Sequence, residues 1–349
     1  MIMMLSEAAA WVAMEVRRDH SFANLGFLSD SQPDKLVFVE HPRAAVQLAR
    51  VEGVCCVLTT PELAGSIASV RGLAITETPR AAFFELHNRL AGETDFYGCD
   101  SAAAIDPTAR IHPRACVAGK NVRIGSCSVV EANVTIEERT VIGAGVRVRA
   151  GVVLGSIGFQ LSRWRDGVIE MAHAGWIEIG NQVDILSNAV IARGLFRQST
   201  IVGDHSRIGN LAFLSHNVRI GARCFVGHHA VINGNVTVGE DAWIGPGATV
   251  SHNLTIGAGA HVALGSTVIR NVGAGERSPE RSPWTIAVCC ACWRRWEWKK
   301  DGKTRPSDGR SYQASSRPRA RTSSSGSSIS PRLRRSRKLS MIALASSLV

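Results

Sequence analysis

The sequence lacks the features that mark a membrane protein or a disulfide-stapled domain. No apolar run approaches the ~18 residues that a membrane-spanning helix needs. The nine cysteines show neither the paired spacing of a disulfide framework nor a repeated C-x-x-C pair. We therefore expect no integral membrane segment and no bound metal, and a reducing cytoplasm fits the cysteine pattern best.

Excess charge is also missing from most of the chain. The net charge is +11, but residues 273–349 hold 17 of the 40 Lys and Arg residues and 5 of the 29 Asp and Glu residues. The remainder, with 23 basic and 24 acidic residues, is nearly neutral. A neutral body gives no electrostatic reason to expect nucleic acid as a partner.

The repeat of apolar residues fits neither an α-helix nor an alternating strand. An aliphatic residue stands at every sixth position from 202 to 268: Val202, Ile208, Leu214, Ile220, Val226, Ile232, Val238, Ile244, Val250, Ile256, Val262 and Val268. A hexapeptide repeat describes one flat face of a β-helix, in which each coil covers the core of the next. We predict a mainly β fold, a left-handed parallel β-helix over residues 101–272.

The remaining segments complete the predicted organisation. Two interruptions of the repeat, at 156–176 and 193–201, are predicted to be loops pushed out of the coil, where function is often located. Residues 1–100 lack the repeat and are predicted to form a small α/β domain of nucleotide-binding type, with helices at 5–16 and 79–90. Residues 273–349 form a basic, low-complexity tail that is predicted to be disordered. Because this tail offers no helical period to cap the last coil, we hypothesise that a shifted reading frame replaced the native end.

The length of one coil provides a ruler for finding a site. Three hexads make a triangular coil, so residues 18 apart should stack about 4.8 Å apart. Gly234 then lies one coil beyond His216, and His252 lies two coils beyond it. Histidine is a natural proton acceptor near neutral pH, and a glycine leaves its N–H open to an oxyanion. The pair His216 and Gly234 therefore indicates an acyl-transfer site.

The same ruler predicts a column of asparagines beside the histidine. Asn217, Asn235 and Asn253 are spaced 18 residues apart. Asparagine is frequent in β-helix turns because it tolerates positive φ, and stacked asparagine ladders stabilise corners without any catalysis. A purely structural role therefore stays open for this column.

Three segments carry a resemblance to a known family. They are Gly155-Ser-Ile-Gly-Phe159, Ala192-Arg-Gly194 and Leu214-Ser-His-Asn-Val218, in this order behind a short α/β domain. Over roughly residues 5–272 the chain resembles the UDP-3-O-acylglucosamine N-acyltransferases of lipid A biosynthesis. The resemblance implies a cytoplasmic homotrimer that transfers a fatty acyl group from an acyl carrier protein thioester to the amine of a UDP-sugar or a similar nucleotide sugar, without a cofactor.

The resemblance also implies roles for single residues. His216 would take a proton from the attacking amine, and the N–H of Gly234 would bind the thioester oxygen. Phe38 matches the first of two aromatic residues that hold the uracil, whereas the second position is Ala44. The candidate substrate contacts are Phe38, His252, Asn217, Gly158, Phe159 and His173. Since other motif positions also differ, such as Gln160 and Ala192, we expect a divergent member with another acceptor or acyl chain.

Three alternatives share the predicted fold. An acetyltransferase for sugars or amino acids would use acetyl-CoA in place of the carrier protein. A metal hydrolyase would hold zinc through histidines of adjacent subunits, with His216, His228 and His229 as candidates. A prism without catalysis would serve only as a scaffold.

Overall fold

The computed structural model describes residues 2–164 and 167–278 of the 349-residue chain. The N-terminal part is a five-stranded sheet in the order β2-β7-β6-β5-β4, in which only β2 runs antiparallel to its neighbour. Its elements are β1 (Met3–Met4), α1 (Leu5–Ala8), β2 (Glu15–Arg18), β3 (Ser21–Phe22), β4 (Asn24–Leu25), β5 (Lys35–Val39), α2 (Pro42–Leu48), β6 (Val54–Thr59), α3 (Pro61–Ala64), β7 (Gly72–Ile75) and α4 (Pro79–Glu93).

The first predicted helix, at 5–16, is wrong beyond its first turn. The helix α1 contains four residues, and the chain then enters β2, where Val16 pairs with Ala74 of β7. An edge position in the sheet satisfies the backbone of this apolar segment better than a helix would, so tertiary pairing overrides the local pattern. The helix predicted at 79–90 is present as α4, which begins with Pro79 at a position where a missing N–H costs nothing.

A prism of short strands follows the N-terminal part. Its strands are β8 (Ala104–Ile105), β9 (Arg110–Ile111), β10 (Cys116–Val117), β11 (Val122–Ile124), β12 (Val129–Val130), β13 (Thr135–Ile136), β14 (Thr140–Ile142), β15 (Arg147–Val148), β16 (Val153–Ser156), β17 (Leu161–Trp164), β18 (Gly167–Glu170), β19 (Trp176–Ile179), β20 (Asp184–Ile185), β21 (Val190–Ala192), β22 (Ser199–Val202), β23 (Arg207–Ile208), β24 (Phe213–Leu214), β25 (Arg219–Ile220), β26 (Phe225–Val226), β27 (Val231–Ile232), β28 (Thr237–Val238), β29 (Trp243–Ile244), β30 (Thr249–Val250), β31 (Thr255–Ile256), β32 (His261–Val262), β33 (Thr267–Val268) and β34 (Arg277–Ser278).

These strands form three parallel sheets, and the predicted β-helix is confirmed. The first sheet has the order β10-β13-β16-β21-β24-β27-β30-β33, and the second runs from β8 to β31. The third runs from β9 to β34. Where the chain is uninterrupted, partners are 18 residues apart, as in the pairs of Leu214 with Ile232 and Ile232 with Val250. All twelve aliphatic residues of the unbroken repeat are buried in one continuous core.

The two interruptions of the repeat attach the prism to the N-terminal part. The first contains the antiparallel hairpin of β17 and β18. The second is shorter than predicted, because β22 already begins at Ser199. Both interruptions contribute buried residues to the N-terminal hydrophobic core, namely Met171, Ala174, Leu195 and Phe196. The segments between coils thus bury apolar surface against the other half of the molecule, which stabilises their position.

The last coil extends beyond the predicted boundary at 272. Val272 bridges to Ile256, and the strand β34 pairs with β32 through Arg277 and His261. Residues 279–349, for which the sequence predicts a disordered tail, lie outside the described residues. Among the helices of the described part, none has the length and apolar character needed to cross a bilayer.

Candidate active site

The predicted histidine lies at the edge where the first sheet of the prism turns into the second. The strand β24 ends at Leu214, and the chain turns through Ser215, His216 and Asn217 before it enters β25. Asn217 has a φ of 59°, a left-handed conformation that asparagine adopts more easily than most residues. This turn directs the imidazole of His216 out of the hydrophobic core and along the edge of the prism.

The imidazole of His216 lies directly against Gly234 of the next coil. A Cβ atom at position 234 would stand 2.3 Å from Cε1 of His216 and 2.6 Å from its Nε2. Only glycine leaves room for the ring in this position. The carbonyl of Gly234 accepts a hydrogen bond of 3.0 Å from the N–H of Asn253, and within the described residues its own N–H donates to no backbone acceptor. The predicted stacking of these two residues is confirmed.

The first interruption of the repeat folds over His216. The ring centroids of His173 and His216 are 5.8 Å apart, and a Cβ atom at Gly158 would stand 3.3 Å from the His216 ring. The Nε2 atom of His173 accepts a hydrogen bond of 2.9 Å from the N–H of Gly158. Its Nδ1 donates to the carbonyl of Met171 at 3.1 Å. His173 therefore holds the loop in place as a neutral imidazole that accepts at one nitrogen and donates at the other.

Burial keeps both histidines uncharged. His216 is 7% exposed, and burial together with the nearby charge of His252 lowers its pKa to about 4. Burial lowers the pKa of His173 to about 3, with a smaller effect from His216. The Nδ1 atom of His216 is buried without a hydrogen-bond partner. At neutral pH the imidazole of His216 is thus free of a proton on one nitrogen and able to accept one.

The predicted asparagine column is present and forms a hydrogen-bonded ladder. Asn217 donates to Oδ1 of Asn235 at 2.9 Å, and Asn235 donates to Oδ1 of Asn253 at 2.9 Å. The Oδ1 atom of Asn217 also accepts from the N–H of Leu195 at 2.8 Å. The ladder therefore fastens the second interruption to the turn that carries His216, which is a structural role.

We expect the ladder to matter most at its buried end. Asn217→Ala should lower the free energy of unfolding by about 2–4 kcal/mol, because it leaves the buried N–H of Leu195 unpaired and places Ala at positive φ. Asn253→Ala has the same backbone penalty at an exposed position, and about 1 kcal/mol is expected. Urea unfolding of both variants measures the difference, and equal losses would contradict a stabilising ladder.

The other predicted substrate contacts are dispersed. Phe38 packs against Phe27, Phe83 and Phe84, and the guanidinium of Arg80 lies 5.3 Å from its ring centroid. A base that stacks on this face has to displace Arg80. Phe159, in contrast, is 86% exposed at the tip of the loop that covers His216, and His252 is exposed on the same edge of the prism.

A polar cleft of about 550 Å³ lies on the other side of the same edge. Its walls include Asp30 and Gln32 from the N-terminal part and Arg219 from the prism, together with the three asparagines of the ladder. His216 and Gly234 are not part of its lining. The cleft therefore adjoins the turn that carries the histidine, but the imidazole itself faces the loop at 156–176.

Two residues on this edge escape the eighteen-residue ruler. Ser156 and Arg193 follow the first sheet's buried aliphatic residues by two positions, as His216 follows Leu214. The interruptions lengthen the spacing, so counting by 18 does not reach them. Aligning the aliphatic residue of each coil, instead of counting, would have placed both residues in the column of His216.

Metal-binding clusters are a separate question from acyl transfer. Within residues 2–164 and 167–278, no three His, Cys, Asp or Glu side chains come together in an arrangement that fits a metal ion. The Nδ1 atom of His228 accepts a hydrogen bond of 2.9 Å from the N–H of Asn210.

Comparison with known proteins relates this site to a family. The family model Bacterial transferase hexapeptide (six repeats) matches residues 115–150, 199–234 and 235–270. The UDP-3-O-acylglucosamine N-acyltransferase of Paracidovorax citrulli is 30% identical over 192 residues, which cover 53% of this chain and 57% of that protein. The enzyme of the same name from Bordetella pertussis is 28% identical, with 57% and 63% covered. The chain is a divergent relative of these acyltransferases.

The likeness to these acyltransferases is partial in extent. The chain spans about 57–63% of the length of these two curated relatives. Among solved structures, the UDP-N-acetylglucosamine acyltransferase of Arabidopsis is 20% identical, with a TM-score of 0.42 over 49% of this chain and 67% of its own. A likeness of this size has no bearing on function.

Proposed function

We propose that this protein is an N-acyltransferase that moves a fatty acyl group from an acyl carrier protein thioester to the amine of a nucleotide-linked amino sugar. The observation that carries the proposal is the contact of the His216 imidazole with Gly234, whose N–H has no backbone acceptor in the described residues. A base and an oxyanion donor on neighbouring coils are what an acyl transfer to an amine requires. The named relatives support the reaction class.

The proposed reaction uses one proton acceptor and one oxyanion donor. Because Nδ1 of His216 is shielded, the neutral ring carries its proton there and presents Nε2 to the amine. The amine nitrogen attacks the thioester carbon while Nε2 takes its proton, and the oxygen that becomes negative is bound by the N–H of Gly234. The C–S bond then breaks, the thiolate leaves, and the imidazolium returns the proton to the sulfur. The products are an amide and a free thiol.

The fate of an added thioester tests this proposal against its alternatives. We expect an acyl carrier protein charged with a 3-hydroxy fatty acid to release thiol in the presence of a UDP-glucosamine derivative, with the amide product detected by mass spectrometry. Thiol release with acetyl-CoA alone would indicate the acetyltransferase alternative. Absence of release with both donors, from a folded protein, would favour the scaffold.

Assembly and location belong to the same proposal. We infer a cytoplasmic homotrimer, since the family resemblance implies this state. Sedimentation equilibrium of the purified protein tests it, and a monomer that retains thioester cleavage would contradict it.

The low pKa of His216 predicts an unusual pH profile. The base works when it is deprotonated, so kcat/KM should stay flat from pH 8 to pH 5 and fall only as the pH drops through about 4, the pKa of this imidazole. An acid limb near 6.5, the ordinary value for histidine, would contradict this assignment.

Folding has to be followed in the same experiment. His87, His173 and His216 are all buried and have lowered pKa values. The unfolded chain binds protons more tightly at these sites, so stability is lost as the pH falls below about 6.5. Circular dichroism at each pH separates this loss from protonation of the base.

A further inference from the structure

Buried polar atoms without partners are concentrated at one edge of the prism. In the described residues, five side-chain nitrogen or oxygen atoms are buried without a hydrogen bond, and three of them are Oγ of Ser156, Nε of Arg193 and Nδ1 of His216. Each follows an aliphatic residue of the first sheet by two positions, and those aliphatic residues pair in register. Folded proteins leave few such atoms unpaired. Three of them in successive coils indicate that a polar partner binds there.

The charge of Arg193 is only partly compensated. Its side chain is 16% exposed, and its ion pair with Glu138 spans 3.6 Å, which is longer than a hydrogen bond. Glu138 is also shared with Lys120 at 3.4 Å. A buried cation without close hydrogen-bonded partners is costly, so Arg193 favours an additional anion.

Arg193 lies on the acceptor side of the proposed base. It precedes His216 by one coil, and Gly234 follows by one coil. If Gly234 binds the thioester oxygen, the donor occupies the far side and the acceptor occupies the side of Arg193. Successive coils are about 4.8 Å apart. An amine and a phosphoryl group on neighbouring carbons of one sugar ring can span this distance.

We propose that Arg193 and Ser156 form a phosphoryl subsite for the acceptor, which is an amino sugar with a phosphate on the carbon next to the one that carries the amine. The phosphoryl oxygens take the place of Glu138 beside the guanidinium and accept a hydrogen bond from the Ser156 hydroxyl. Arginine is suited to this contact, because its planar group donates to phosphate in a bidentate manner. This inference rests on the proposed function and adds the substrate class.

Binding without any acyl donor tests the subsite. Calorimetric titration of the full chain with glucosamine 1-phosphate should show tighter binding than titration with glucosamine. Arg193→Gln should weaken binding of the phosphate about 10- to 100-fold, the effect of losing charged hydrogen bonds. Ser156→Ala should weaken it by a smaller factor. Arg223→Gln is the matched control, because Arg223 pairs with Glu240 and Asp241 on a different edge, and it should bind as the wild type does.

Each other result of the titration overturns the subsite. Equal affinity of wild type and Arg193→Gln for glucosamine 1-phosphate removes Arg193 from it, and equal affinity for glucosamine removes the phosphate. Competition by 4′-phosphopantetheine as strong as that by glucosamine 1-phosphate reassigns the edge to the donor. If thermal unfolding shows that Arg193→Gln is not folded, Ser156→Ala alone decides, and unchanged affinity refutes the proposal. Because no acyl transfer is measured, a failure here is distinguishable from an inactive His216.

Discussion

Replacement of His216 by Ala is expected to lower kcat about 10²–10⁴-fold, the usual contribution of a general base. The imidazole touches the backbone of Gly234 and lies under the loop that holds Gly158 and His173. No neighbouring side chain on this edge can replace it, since His173 has both nitrogens engaged in hydrogen bonds. Steady-state thiol release with the acyl carrier protein thioester measures the loss.

A matched histidine makes this result specific. His112 is exposed on another turn of the prism, where its Nδ1 accepts from the N–H of Arg114. His112→Ala should keep kcat within about twofold of the wild type, as expected for a surface substitution. Equal activity of the His216 and His112 variants would dismiss His216 as the base.

Substitution of Gly234 by Ala should be nearly as damaging, although it keeps the backbone N–H. The added methyl group would stand 2.3 Å from Cε1 of His216, so the imidazole has to leave its position. A displacement of about 1 Å costs roughly 10²-fold in rate. We expect a fall in kcat of this size, together with retained folding, and thiol release again provides the measurement.

Gly119 offers the control for this substitution. A Cβ atom added there meets nothing within 4 Å, and its φ is not in the left-handed region. Gly119→Ala should therefore leave kcat and stability unchanged. A Gly234→Ala variant with the activity of the Gly119 variant would show that the contact of the ring with the glycine is irrelevant to turnover.

The sequence predicts the catalytic edge because the repeat is unbroken there. From 202 to 268 every coil contains 18 residues, so the stacking of Gly234 on His216 and the ladder from Asn217 follow from counting. Strand pairing in this region is set by the burial of one aliphatic residue in each strand, a term that outweighs local preferences.

The same counting fails where the chain leaves the coil. Val153 pairs with Val190 and Val190 with Phe213, separations that no fixed period contains. Ser156 and Arg193 were missed for this reason. The neutral state of His173, the hairpin of β17 and β18 and the burial of Phe196 depend on contacts with the N-terminal part, which no repeat in the sequence encodes.

The attachment of both interruptions to the N-terminal core divides the prism into two stretches with different freedom to change length. Each coil of a solenoid contacts only its neighbours. Coils between β16 and β24 are tied to the N-terminal part by Met171 and Phe196, so a whole coil inserted there would separate Arg193 from His216. Coils beyond β30 have no such tie in the described residues, and adding one would leave the reaction geometry untouched. The reach of the molecule toward a bulky donor can thus be tuned independently of its chemistry.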